Sequence, residues 1–321
     1  MSDFVITPKG PFSLSASVRF SDNFVPAHDR RASSESDAVR MRLAFPVEGS
    51  WQTAGLVVTQ LGDGSVHVRV DGPEPEGLSQ QLARILSLDV DATGLADVCQ
   101  RDAVLERLAA SYPGLRPVCF HSPYEAACWA IIGHRIRITQ AAAIKERIAH
   151  TYGQKLFVDG IELAAFPPPQ TLLNALDDIT LPAVKRERLR GIAAAALDGG
   201  LDAGHLRAQQ PANALDELKQ LNGIGPFSTE LILIRGAGAP DIFPTNERRL
   251  HDSMRQLYQE PDADLNRLAA LAHSWSEPPR DVRRLIGVTT QLVAEDVGER
   301  SGRFRARLVG GHRSARRGVG G

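Results

Sequence analysis

A glycine pair, one well-placed acid and two basic clusters are the residues of this 321-residue chain whose types and spacing could do chemistry. Gly223-Ile224-Gly225 follows Leu215, Leu218 and Leu221, which are spaced for one helical face, and precedes Pro226, which suits the first turn of a second helix. Two glycines allow φ > 0 and leave no side chain between the backbone and a ligand. In such a hairpin Ile224 plugs the space between the helices. The backbone amides of the turn and of the next helix start, around Phe227 and Ser228, then point outward toward an anion such as a phosphate. Gly-x-Gly alone also fits an ordinary αα-hairpin. Downstream, Asp241-Ile242-Phe243-Pro244 ends the second helix and Thr245-Asn246-Glu247-Arg248-Arg249 opens a third. Glu247 is there an acid at a helix start, facing the dipole, with Asp241 and Asp252 as neighbouring carboxylates. Upstream, His134, Arg135 and Arg137 fall in an interruption between two helices, and Lys185 to Arg190 holds four basic residues. Each basic cluster is read either as a solvated face or as a surface for a polyanion.

The elements that must carry these groups fall into two kinds. Residues 1–88 read as a β-rich unit. Phe12, Leu14, Ala16, Val18 and Phe20 alternate with polar residues, which predicts a half-buried strand, and residues 21–38 read as a loop. Val39 to Phe45 alternates again. Leu56 to Leu61, Gly62-Asp63-Gly64, then Val66, Val68 and Val70 predict a hairpin, and Leu78, Leu82, Ile85 and Leu86 a helix closing the sheet. Residues 89–298 read as all-helical. Asp102 opens one helix, and Tyr112 to Pro117 is a stop and turn. Ser122-Pro123-Tyr124-Glu125 predicts a capping box at the start of a helix with Trp129, Ile132 and Ile136 on one face. Thr139 is expected to cap the next helix and Tyr152-Gly153 to close it. Phe166-Pro-Pro-Pro169 reads as a rigid surface linker. Helices are further expected around Leu250 and Met254, at Leu265 to Ala272, and at Leu285 to Val293. Residues 299–321 are rich in Gly and Arg and predict a basic disordered tail.

Composition narrows the classes. The net charge is −1, so any nucleic-acid contact must come from local patches. No run of about twenty apolar residues predicts a membrane span, and Met1-Ser-Asp-Phe-Val lacks the basic start and apolar core of a signal peptide. A cytoplasmic, nucleoid-associated protein is the expectation. Cys99, Cys119 and Cys128 lack metal-ligand spacing and read as buried thiols, so no metal site is expected from them.

The stretch from Leu218 to Leu250 resembles the helix–hairpin–helix (HhH-GPD) superfamily of DNA glycosylases, in which an acid follows the hairpin in a pattern like Asp-x-Phe-Pro-x-x-Asp. A second stretch, Tyr112 to Gly153, is similar to the 3-methyladenine-DNA glycosylase II group, with its Pro-Gly-Leu-Arg, a helix, Gly-Gln-x-Ile-Ser-Val and an Ala-rich helix. Trp275 to Arg280, Trp-Ser-Glu-Pro-Pro-Arg, is close to the group's Trp-x-Pro-aromatic-Arg with one residue extra. The resemblance implies an α+β fold: a mostly α-helical HhH-GPD core of two lobes with an N-terminal antiparallel β-sheet (TBP-like) domain. It implies a monomer that binds double-stranded DNA through Gly223, Ile224, Gly225, Phe227, Ser228, Arg135 and Arg137. The flipped base would sit near His134, Phe227, Leu231 and Trp129, with Arg135 filling the gap in the duplex.

Glu247 stands where the family has its catalytic Asp, one methylene longer, which moves the carboxylate by roughly 1 Å. Phe227 stands where bifunctional members carry a Schiff-base lysine, so the resemblance implies a monofunctional enzyme for damaged, alkylated purines. His134 replaces a Gln, and Val288 falls where the group has an aromatic ring. No cysteine lies beyond residue 128, which excludes the iron–sulfur loop of some relatives. No cofactor is implied, with a structural Na+ or Mg2+ at the hairpin left open. The Glu247 and Val288 departures also admit a lesion-binding protein that is weak or inactive in catalysis. A helical protein unrelated to DNA would leave the hairpin, Arg135 and the basic helix without a joint reason.

Overall fold

The computed structural model describes residues 2–23, 39–240 and 242–275. The expected helix at Leu285 to Val293, Val288, Asp241, residues 276–280 of the tryptophan motif and the tail 299–321 lie outside them.

The N-terminal sheet is antiparallel, with β1 (Ser2–Ile6), β4 (Val66–Val70), β3 (Thr53–Gln60) and β2 (Arg40–Pro46) in that spatial order. The expected hairpin is β3–β4, in which Val58 faces Val68. Two helices cover the sheet: α1 (Leu14–Asn23) and α2 (Leu78–Ile85). The strand expected at residues 12–20 is therefore α1. Leu14 and Val18, and Ala16 and Phe20, are i,i+4 pairs as well as alternating residues, and all four are buried. Ser17, on the polar phase of the alternation, is fully buried and donates to the Arg116 carbonyl at 3.0 Å. Ser13 starts the helix, its Oγ accepting from the Ala16 amide at 3.2 Å. The core of this unit also takes in Leu115 and Val118, beyond residue 88.

The remainder is helical with one exception. The helices are α3 (Leu95–Arg101), α4 (Ala103–Ser111), α5 (Pro123–Gly133), α6 (Ile138–Tyr152), α7 (Pro169–Ala175), α8 (Ala183–Leu197), α9 (Ala203–Ala208), α10 (Pro211–Lys219), α11 (Pro226–Leu231), a π-helical turn (Ile232–Gly236), α12 (Arg248–Tyr258) and α13 (Leu265–Ser274). The exception corrects the all-helical expectation: β5 (Lys155–Val158) and β6 (Ile161–Ala164) form a hairpin packed on the sheet. It covers the face of β2 and β3 that alternation assigns to water, so β2 is buried on both faces.

Two helical cores result. One surrounds α5 and runs from Phe120 to Ala239; the other joins α3 and α4 to α12 and α13. Trp275 is buried in the second and its Nε1 donates to Tyr258, whose hydroxyl donates to Asp102 at 2.6 Å. The helix expected to show one apolar face, α5, is buried on every side from Pro123 to Ile132. Ser122 caps it, accepting from the Glu125 amide at 3.1 Å. Glu125 does not return the bond of a capping box, because its carboxylate pairs with Lys145 and with His121, 2.9 Å away. Burial alone would raise the Glu125 pKa, but His121 and Lys145 beside it outweigh burial and hold the carboxyl well below the usual range. Thr139 does not cap α6, which already begins at Ile138 with Arg137 as N-cap. The Phe166–Pro169 segment is not a surface linker: Phe166, Pro167 and Pro169 are buried, and Pro169 opens α7. Among the described residues no helix is long and apolar enough to cross a membrane.

Candidate nucleic-acid interface and active site

The hairpin forms as its glycines require. Gly223 has φ +90°, and a Cβ there would lie 2.6 Å from Arg188 Cδ and 3.0 Å from Ile131 Cδ1. The turn is pressed against α5 and α8, and only glycine fits. Ile224 is buried in the main helical core, as expected. Pro226 sits at N1 of α11, and no side chain caps that helix. Thr229 ties the first turn down, its hydroxyl donating to the Gly225 carbonyl at 2.8 Å. Phe227 is 46% exposed, whereas Ser228 is buried. The Ser228 side chain is thus not offered to a ligand, against the expectation for that residue. After Leu231 the helix widens into the π turn, where the Ala237 amide reaches the Ile232 carbonyl at 2.8 Å. Such turns are frequent at functional sites.

The junction between α5 and α6 abuts this hairpin. Arg135 is exposed with φ +57°, a left-handed conformation that costs a non-glycine residue of order 1–3 kcal/mol. Arg137 and Ile138 beside it are also exposed. Lys185 holds the end of α5: its Nζ donates to the carbonyls of Ile132 at 2.7 Å and His134 at 2.9 Å. Arg188 lies between the α5–α6 turn and the hairpin turn, its Nη1 3.5 Å from His134 Nδ1 and its stem against Gly223. The basic run of α8 is therefore a staple joining the α5 exit to the hairpin. Its spacing in the sequence carries no sign of that role. Burial, then Arg188, Lys185 and Arg135, push the His134 pKa below its ordinary value, so the imidazole is neutral at pH 7. Trp129 is nearly buried inside the main core and presents little face to a pocket.

Glu247 is the N-cap of α12, its Oε1 accepting from the Arg249 amide at 3.2 Å. The helix-capping reading of this acid is thus realised, and the side chain remains partly exposed. Leu250 and Met254 anchor α12 in the second core. His251 reaches back to the Pro244 carbonyl at 2.8 Å. A residue that sequence reasoning passed over, Glu230, holds the other side of the turn. It is 6% exposed and accepts from Thr245 and Asn246. Phe227, Glu230 and Leu231 stand at i, i+3 and i+4 of α11 and share a face. The candidate pocket residues Phe227 and Leu231 therefore lie on the side of α11 that faces the Glu247 turn. Asp252 is exposed and paired with Arg255 at 2.9 Å. Among the described residues no group of three or more His, Cys, Asp or Glu could hold a metal ion, and the three cysteines are free and buried.

The whole is a glycine hairpin, a strained basic turn and an acid-bearing turn, fastened to one another by Arg188 and Glu230. No family model matches the chain. It is similar to a DNA-3-methyladenine glycosylase of Bacillus subtilis (strain 168), at 26% identity over 209 residues, 63% of this chain and 68% of that protein. It is also similar to DNA-3-methyladenine glycosylase 2 of Escherichia coli (strain K12), at 33% identity over 147 residues. That match takes in 44% of this chain and about half, 51%, of the relative. In fold it is similar to the 3-methyladenine DNA-glycosylase of Archaeoglobus fulgidus, with TM-score 0.71 at 18% identity over 91% of this chain and 98% of the other. It is also similar to an 8-oxoguanine glycosylase/lyase of Clostridium acetobutylicum, with TM-score 0.61 at 17% identity over 91% and 95%. The α+β fold is that of these glycosylases, and the resemblance to the HhH-GPD superfamily and to its glycosylase II group stands.

Proposed function

We propose that the chain is a monofunctional DNA glycosylase of base excision repair, releasing alkylated purines from double-stranded DNA with Glu247 as its carboxylate. The observation that carries the reading is the position of Glu247: the acid closes the turn that follows the hairpin, and α11 supports that turn. The named activities of the two sequence relatives point the same way. The hairpin amides would take a phosphate of the DNA backbone, and Arg135 and Arg137 would add charge that lies close to the duplex. The target nucleotide leaves the stack, and Arg135 fills its place.

The chemistry then follows from charge. As the bond from the base to C1′ breaks, the sugar becomes oxocarbenium-like, and a fixed carboxylate stabilises that charge and orients water toward C1′. The water oxygen bonds to C1′, its proton goes to the carboxylate, and the base departs with the bonding pair. An alkylated purine is already cationic and becomes neutral on leaving, so no strong general acid is needed. Neutral His134 suits this arrangement, since it adds no positive charge beside a cationic base. Phe227 supplies no amine, so no Schiff base forms and the strand is left uncut.

The test is release of free base from methylated duplex DNA by the native chain, Glu247→Gln and Glu247→Asp. The expected result is release by the native protein and a loss of about 10²-fold or more in Glu247→Gln. A second reading, a lesion-binding protein with little turnover, is favoured by the Glu247 carboxylate already serving its own helix cap. DNA binding without base release in all three proteins would select it.

A further inference from the structure

A carboxylate with almost no exposed surface lies one turn into the hairpin's second helix, and the reaction above does not use it. Glu230 Oε1 accepts from the Thr245 amide at 2.9 Å, the Thr245 hydroxyl at 2.6 Å and Asn246 Nδ2 at 2.8 Å. Its Oε2 accepts from the Asn246 amide at 2.9 Å. All four donors belong to the two residues that precede Glu247. Burying a carboxylate is costly unless it is fully hydrogen-bonded, and bonds to an ionised acceptor are about twice as strong as neutral ones. The far side of the turn is fixed independently by His251 on the Pro244 carbonyl.

We propose that Glu230 is a positioning residue: it fixes the Thr245–Asn246 turn to α11 and so sets the Glu247 carboxylate relative to the hairpin that grips the DNA. The proposal rests on the reaction proposed for Glu247. It explains why the acid-bearing turn and the phosphate-facing amides stay in register although they lie on different helices. Tight placement matters because a displacement of about 1 Å in such a site costs about 10²-fold. A glutamine in place of Glu230 keeps the length but turns one acceptor into an N–H₂ donor. That donor must then face an amide or hydroxyl donor of the turn. A wrong placement of Glu247 would follow, with hairpin and fold retained.

The experiment compares affinity for two DNA duplexes: one with a cationic pyrrolidine abasic-site mimic, the other with a neutral tetrahydrofuran in the same place. The cation resembles the charged sugar, and transition-state mimics bind by about 10²-fold or more over ground-state ligands. The ratio therefore reads where the carboxylate sits, and it needs no turnover. The native protein is expected to prefer the cation by about tenfold or more, and Glu247→Gln to lose the preference. Glu230→Gln is expected to lose most of it, with tetrahydrofuran affinity and melting temperature near native. Thr245→Val, a surface change that removes one of the four donors, should move the ratio in the same direction by less.

A Glu230→Gln protein that keeps the full preference overturns the proposal, as does one that loses affinity for both duplexes equally. Should Glu230→Gln fail to fold, Thr245→Val decides the matter by the same ratio. A native protein that prefers the cation yet releases no base would sink the turnover reading and leave the positioning role standing. A native protein with no preference would overturn both.

Discussion

Arg116 and Arg135 stand on either side of α5, one before its start and one after its end. Arg116 is fully buried and donates to the carbonyls of Pro11, Ser87, Val90 and Lys9, tying the N-terminal segment and the stretch after α2 to the segment that precedes α5. Arg135 is exposed, in a left-handed backbone conformation, on the edge of the candidate DNA face. The same contrast holds for the neighbours. At the start of α5, Glu125 is buried between Lys145 and His121. At its end, Lys185, Arg188 and Arg135 gather round a neutral histidine with Asp and Glu absent from the forces that shift it. The arrangement suits the helix dipole, with the acid near the N-terminus and the cations near the C-terminus. One end of the helix spends charge on holding the fold, and at the other the cations round His134 have no acidic partner among the described residues. Binding surfaces are where a protein tolerates strain and like charge, because the ligand relieves both.

The comparison can be broken first at Arg116. Arg116→Met leaves the buried Ser87 and Val90 carbonyls without the guanidinium that bonds them and frees the part-buried Pro11 carbonyl, and the expected loss is about 3–5 kcal/mol in urea unfolding, with unchanged DNA affinity for the folded fraction. A near-native unfolding midpoint would show that those carbonyls find other partners.

The next test is acid. The Glu125 pKa is depressed in the fold, so the unfolded chain binds more protons as pH falls. Its stabilising contribution is complete above about pH 4.5, its ordinary value, and is lost progressively below it. Glu125→Gln should lower stability at pH 7 and flatten the decline below pH 4.5. Chemical unfolding at a series of pH values reads both, and an unchanged slope would count against the ion-pair account.

The smallest and most discriminating change is Arg135→Gly. Glycine relieves the left-handed backbone, for a gain of about 1 kcal/mol in stability. It also removes the cation proposed to lie against the duplex, and the salt slope of DNA binding is then expected to fall by about one. Stability and affinity should therefore move in opposite directions. If both fall, Arg135 belongs with Arg116 as a structural staple.

Much of this architecture is legible in the sequence, and the failures have identifiable causes. The hairpin around Gly223 and the helix start at Ser122 were readable because local rules alone dictate them. At residues 12–20 the alternation misleads, because Leu14, Ala16, Val18 and Phe20 satisfy both the strand and the helix period. Ser13 was the cap that could have decided it. The β5–β6 hairpin carried a signal, Asp159-Gly160 between Phe157-Val158 and Ile161, and both turn residues indeed have φ > 0. The contributions of Glu230, Lys185 and Arg188 were not readable at all. Their partners lie far along the chain, and nothing in the type or spacing of those residues announces a tertiary bond.

The Arg84 guanidinium has a further consequence, for the order of assembly. It donates to the Phe120, His121 and Gly236 carbonyls and pairs with Glu48, which in turn accepts from the Ala203 amide. Arg84 and Gly236 are 152 residues apart. At roughly 5–20 residues per second, the sheet would leave the ribosome roughly 8–30 s before the π turn that completes this cluster is made. In that interval a buried-type charge waits without its last acceptor. The nascent sheet is thus an open half of a joint, and the π turn that ends at Gly236 is the piece that closes it.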